Sequence, residues 1–121
     1  MGYVIHVDNS GFFRKLMHAF RAGLEYECDG YSRGEDALDK AMARHVDCVI
    51  TGLELSDMPG IDFIKQLAVS VPLVPIIVIT SRNDEGEFRH LETLGVKSVI
   101  QKTANWKTEL HEQLTLIRED E

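Results

Sequence analysis

Apolar positions along the chain alternate between continuous runs and spaced repeats. Runs at residues 3–7, 48–51, 76–80 and 98–100 suit strands buried on both faces, and residues 25–28 form a weaker, more polar candidate. Between the runs the period becomes helical. Phe12, Leu16, Phe20 and Leu24 recur every four residues with Phe13 and Met17 alongside, which predicts a first helix with a broad apolar face. A second helix opens on Ser32 and Glu35 at capping-box spacing, buries Ala37, Leu38, Ala41 and Met42, and ends near Arg44. A third runs over residues 60–70 on Ile61, Ile64, Leu67 and Ala68 until Pro72 forbids more helix. The fourth covers residues 84–94 with Phe88, Leu91 and Leu94 inside, and Gly95 is suited to cap it in a left-handed conformation. The fifth, over residues 105–118, places Trp106, Leu110, Leu114 and Ile117 on one face.

Strands alternating with helices predict an α/β protein, because parallel neighbours need crossover connections and those crossovers cover both faces of the sheet. A chain of 121 residues supports one core, so residues 1–121 are expected to form a single domain. In such sheets the reactive site lies at the carboxyl ends of the strands, where the strand order reverses. The residues brought there are Asp8, Gly52, Thr80 and Lys102.

Strand one ends in Val7-Asp8-Asn9-Ser10, strand three in Asp47-Cys48-Val49-Ile50-Thr51-Gly52, strand four in Ile79-Thr80-Ser81 and strand five in Ile100-Gln101-Lys102. Over nearly the whole chain this pattern resembles the receiver domains of response regulators in two-component, phosphorelay signalling. The resemblance implies a flavodoxin-like (βα)5 sandwich with strand order 2-1-3-4-5. It further implies that Asp8 and Asn9 stand for the Mg²⁺-holding acidic pair and that Glu54 offers its backbone carbonyl to the metal. Thr80 stands for the switch hydroxyl and Lys102 for the lysine that neutralises phosphoryl oxygens. The position of the phosphoacceptor aspartate is held by Gly52. Asp47, five residues before it, and Asp57-Met58-Pro59-Gly60 after it fix that register from both sides.

Glycine has no side-chain atom, so aspartyl phosphate cannot form at residue 52. Mg²⁺ favours carboxylate oxygens, and Asp8 is the one acid left of the usual three, so metal binding is expected to be weak or absent. With one acid and one lysine the inner set is neutral, which leads to the expectation that Lys102 pairs directly with Asp8. Two further departures follow the same direction. Thr103 stands where the family has a proline after the lysine, so a trans peptide is expected. Val99 replaces the aromatic residue that moves with the switch hydroxyl, and a β-branched side chain has little rotamer range. Glu54 is the nearest other acid, but its place two residues beyond the strand end sends it along a different loop direction.

Charge and composition narrow the picture further. Hydrophobic residues at 44% and charged residues at 27% fit a soluble globular protein, and the expected location is the cytoplasm. No run reaches the roughly 18 apolar residues of a membrane helix, and the first residues lack a basic segment followed by an apolar run, so export is not expected. A net charge of -7 repels nucleic acid, so no direct binding to it is expected. Cys28 and Cys48 read as buried reduced thiols and His6 as a satisfied core residue, while the five histidines show no metal-ligand spacing. Read singly, Asp8 is a helix cap and Gly52 a turn residue.

The leading expectation is therefore a degenerate receiver without catalysis or resident cofactor. It would act through a protein partner or a second copy on the face of helix four, strand five and helix five. A histidine kinase or an output domain is the kind of partner the resemblance implies. The charged outer side of helix four (Glu85, Glu87, Arg89, His90 and Glu92) reads otherwise as solvated surface. Two alternatives stay open: a working receiver that uses another acid or a variant site, and a small flavodoxin-like ligand-binding domain. The second lacks a glycine-rich phosphate loop after strand one.

Overall fold

The computed structural model describes residues 2–21, 23 and 25–120. Its elements alternate strictly: β1 Gly2–Val7, α1 Gly11–Arg21, β2 Tyr26–Tyr31, α2 Gly34–Ala43, β3 Cys48–Thr51, α3 Gly60–Ser70, β4 Ile76–Thr80, α4 Glu85–Thr93, β5 Ser98–Gln101 and α5 Trp106–Glu119. The five strands form one parallel sheet in the order β2-β1-β3-β4-β5.

Alternation along each strand divides the core into two layers. Tyr3, Ile5, Val7, Val49, Ile76 and Val78 face α2, α3 and α4, where Ala37, Ala41, Phe63, Ile64, Leu67 and Leu91 meet them. Val4, Cys28, Cys48, Ile50, Ile77, Ile79 and Ile100 face the other way, toward Phe13 and Met17 of α1 and Trp106, Leu110, Leu114 and Ile117 of α5. The central strands are buried on both faces, which is why they read as unbroken apolar runs.

Several boundaries and faces differ from the expectation. β2 is longer than residues 25–28, because all six of its residues pair with β1 although it is a polar edge strand. Backbone pairing, which no side-chain pattern reports, sets its length. Phe12 is 74% exposed, and the packed face of α1 is formed by Phe13 and Met17 with Leu16 and Phe20; Leu24 lies outside the described residues. Met42 and Ala68 also face solvent, whereas Phe63, absent from the expected set, is fully buried.

The expected capping box on α2 is not formed. Arg33 is the N-cap and makes no side-chain cap bond. The carboxylate of Asp57, far along the chain, accepts from the amides of Gly34 at 2.7 Å and Glu35 at 3.0 Å instead. α4 follows expectation at both ends: Asp84 accepts from the Glu87 amide, and Gly95 takes φ +93 beyond the last turn.

Cys28 and Cys48 are both free and buried; burial pushes the Cys28 thiol up to about 11 and Cys48 higher still. His6 departs from the expectation of a satisfied core residue. It is 1% exposed, and neither ring nitrogen has a hydrogen-bond partner among the described residues.

Candidate functional site

The strand order reverses between β1 and β3, and their carboxyl ends are joined where the Gly52 amide donates to the Val7 carbonyl at 2.8 Å. Four strand ends therefore converge on one concavity of about 290 Å³. Its lining includes Asp8, Asn9, Gly52, Glu54, Thr80 and Lys102, so all six residues singled out in the sequence share one pocket.

Asp8 is the buried charge of the site, 2% exposed. One oxygen, Oδ1, accepts from the Ser10 amide at 2.8 Å, and the other, Oδ2, accepts from Lys102 Nζ at 2.9 Å. The expected ion pair thus joins the ends of the first and last strands. Lys102 is held from a second side, with its ammonium 4.3 Å from the centre of the Phe13 ring, inside the range of a cation–π contact. The Lys102 amide donates to the Thr80 carbonyl, and no cis peptide bond occurs among the described residues, so the link to Thr103 is trans.

Capping of α1 falls to Ser10, whose Oγ accepts from the Phe13 amide at 3.1 Å, and not to Asp8. Nor does Gly52 need its glycine for conformation: Gly95 is the described glycine at positive φ. Space around Gly52 is limited by Asp8, since a Cβ there would lie 3.1 Å from Oδ2 and 3.3 Å from Cγ of that carboxylate. Gly60 is the glycine that a close approach requires. A Cβ on it would press into the Gly52 carbonyl and the Leu53 Cα, so the start of α3 is set tightly against the pocket loop.

Glu54 turns outward. Its side chain is 67% exposed and accepts from Arg82 Nη2 at 2.9 Å, while its backbone carbonyl accepts from the Asn9 amide at 3.3 Å. Arg82 also donates to Glu87 at 2.8 Å, and its own amide donates to Thr80 Oγ1 at 3.0 Å. The bond to Glu54, reinforced by Glu87, raises the Arg82 pKa further above its ordinary range. Arg82 was not singled out in the sequence; a basic residue two places past a strand-end hydroxyl was the available signal. Arg14 was also missed: it lies on α1, yet its guanidinium donates to the Asp8 carbonyl at 2.7 Å. Val99 is half-buried and packs against the core.

These residues do not fit a divalent cation. Both Asp8 oxygens are engaged by donors, the Glu54 carboxylate is committed to Arg82, and no group of three acids, histidines or cysteines able to hold a metal occurs among the described residues. As it stands, the arrangement is a closed, charge-balanced ion pair beside a glycine.

Comparison with known proteins agrees with the fold. Residues 4–115 match the family model described as response regulator receiver domain. Over 83 residues the chain is 24% identical to the DNA-binding transcriptional regulator NtrC of Escherichia coli, covering 69% of this chain and 18% of that protein. It is 28% identical over 119 residues to a protein-glutamate methylesterase/protein-glutamine glutaminase of Geobacter sulfurreducens, covering 97% of this chain and 31% of that one. The chain therefore spans less than a third of the length of these two relatives. Among solved structures, the chemotaxis protein CheY4 of Vibrio cholerae superposes with a TM-score of 0.86 at 23% identity, over 97% of this chain and 98% of that one. With the family model matching most of its length and the parallel sheet in the order β2-β1-β3-β4-β5, the chain belongs to the response regulator receiver domains of two-component signalling.

Proposed function

We propose that this receiver domain is degenerate and signals by phosphorylation-independent protein–protein interaction. The observation that carries the reading is Gly52 at the end of β3, beside an Asp8 already neutralised by Lys102 at 2.9 Å. A receiver reacts by in-line attack of a carboxylate on a phosphodonor. Here the third strand offers hydrogen in place of that carboxylate, and the lysine that would meet the incoming phosphoryl oxygens is bound to Asp8 and stacked on Phe13. Glu54, the alternative nucleophile, is directed to solvent and held by Arg82, which argues against a working receiver built on another acid.

The domain occupies residues 1–121 in this reading and works in the cytoplasm; no described helix is long and apolar enough to cross a membrane. Its partner, whether a second copy, a histidine kinase or an output domain, binds the face of α4, β5 and α5. Binding there biases the conformational equilibrium in place of a phosphoryl group.

Incubation with acetyl phosphate and Mg²⁺, followed by intact-mass spectrometry, tests the proposal. The expected result is an unchanged mass. A phosphoryl adduct that maps to Glu54 or Asp8 would overturn it.

A further inference from the structure

A second concavity, of about 490 Å³, lies between α1 and the edge strand β2. Gly30 lines it without a side chain: a Cβ there would meet Arg14 Cδ at 3.8 Å, an ordinary contact, and nothing nearer. Met17 and Cys28 give the cleft an apolar wall, and Arg14 and Lys15 give it cations. No carboxylate lines it among the described residues, although the chain has 20 acidic residues against 13 basic ones. His6 also lines it, with both ring nitrogens buried and without a hydrogen-bond partner among the described residues. Buried polar groups are nearly always paired, so an unpartnered imidazole at the wall of a cleft offers a donor and an acceptor to a ligand there.

We propose that this cleft binds a small organic anion with an apolar body. The acid group is set against Arg14 and Lys15, the body lies along Met17 and Cys28 in the space left by Gly30, and His6 supplies a hydrogen bond. Met17, unbranched and flexible, is the side chain that shifts to admit the ligand to His6. Occupancy reaches the strand ends by two routes. Arg14 donates to the Asp8 carbonyl at 2.7 Å, so an anion that draws its guanidinium away loosens the loop carrying Asp8. His6 lies on β1 two residues before Asp8, which follows directly on the end of that strand. The ligand thereby acts on the Asp8–Lys102 pair from behind, without chemistry at residue 52.

Titration with naphthalenesulfonate and with its neutral sulfonamide, followed by NMR of the amide and imidazole groups, tests the site. The sulfonate should shift the His6 ring and the Arg14 and Gly30 amides saturably, at concentrations where the sulfonamide has little effect. Replacing Arg14 and Lys15 together by glutamine should weaken sulfonate binding about tenfold or more, through loss of charge-assisted bonds. Gly30→Val, which suits an exposed strand position and fills the cleft, should abolish the shifts. Equal binding of the neutral probe, shifts confined to other surfaces, shifts that persist in Gly30→Val, or no saturable change up to roughly 10 mM would each overturn the proposal.

Discussion

Asp8 and Lys102 carry unequal burdens. Asp8 has a side chain only 3% exposed, whereas Lys102 is 23% exposed and reaches water along one side. Removing the lysine strands a buried anion; removing the acid leaves an ammonium that water and the Phe13 ring still solvate. Lys102→Met should therefore destabilise the fold by about 2 kcal/mol and Asp8→Asn by about half of that, read from urea midpoints at constant slope. Equal losses for the two variants would contradict this asymmetry. His6 poses the opposite case, a polar side chain that the core does not satisfy. Desolvation lowers its pKa to about 4, with Asp8 opposing and Lys102 and Arg14 assisting that shift. Its folded pKa lies below the unfolded value of 6.5, so the unfolded chain takes up a proton that the folded one refuses. Its contribution is accordingly intact above pH 6.5 and is lost progressively as pH falls toward 4. His6→Leu removes both the unpaired nitrogens and the titration. It should raise stability by about 1 kcal/mol at neutral pH, and by more as the medium is acidified through that window. A wild-type and variant difference that stays flat with pH would show that the imidazole is protonated or paired in the folded protein.

Elements whose packing is local were legible, and those completed by distant residues were not. α5 shows Trp106, Leu110, Leu114 and Ile117 at helical spacing in the sequence, and the same four side chains are buried against the sheet. α2 shows Ser32 and Glu35 at the right spacing for a cap, but the chain supplies the acceptor from Asp57 in the loop before α3. No local rule contains a partner that far away. The cap also ties the two helices together, since one carboxylate oxygen holds the amide of Gly34 and the other that of Glu35. Desolvation pushes the Asp57 pKa up, but the bonds from Glu35 and Gly34 outweigh it and hold the carboxyl below its ordinary value of 3.8. A depressed carboxyl stabilises the fold above its unfolded pKa, and that contribution disappears as pH falls through the lower, folded value. Asp57→Ala should cost about 1 kcal/mol at neutral pH and a smaller amount in strong acid, where the wild-type cap is itself protonated. Thermal melts at the two pH values check it, and an equal cost at both would mean that ionisation of Asp57 is irrelevant to the cap.

At the scale of the whole molecule the site was legible because topology gathers strand ends without help from side-chain detail. Four short strings at the ends of β1, β3, β4 and β5 were enough to locate one pocket, whereas the links across it, Arg82 to Glu54 and Glu87 and Arg14 to Asp8, depend on long flexible side chains whose reach no sequence spacing fixes. Those links and the Asp8–Lys102 pair draw the first and last strands and the β4–α4 loop into one neutral cluster. The consequence is measurable through linkage. A ligand present at 100 times its dissociation constant stabilises a folded domain by about 2.7 kcal/mol, a shift of several degrees in melting temperature for a chain of this size. Millimolar Mg²⁺ should therefore leave the wild-type midpoint unchanged. Gly52→Asp sets a second carboxylate beside Asp8, where even its Cβ lies 3.1 Å from Oδ2, and the two negative charges then compete for Lys102. That variant should melt below wild type in chelator and rise with added Mg²⁺, because the cation becomes the counter-charge that Lys102 alone no longer supplies. A wild-type midpoint that climbs with sub-millimolar Mg²⁺ would mean that the lysine gives way to metal, and that a single carboxylate beside a glycine is enough to hold it.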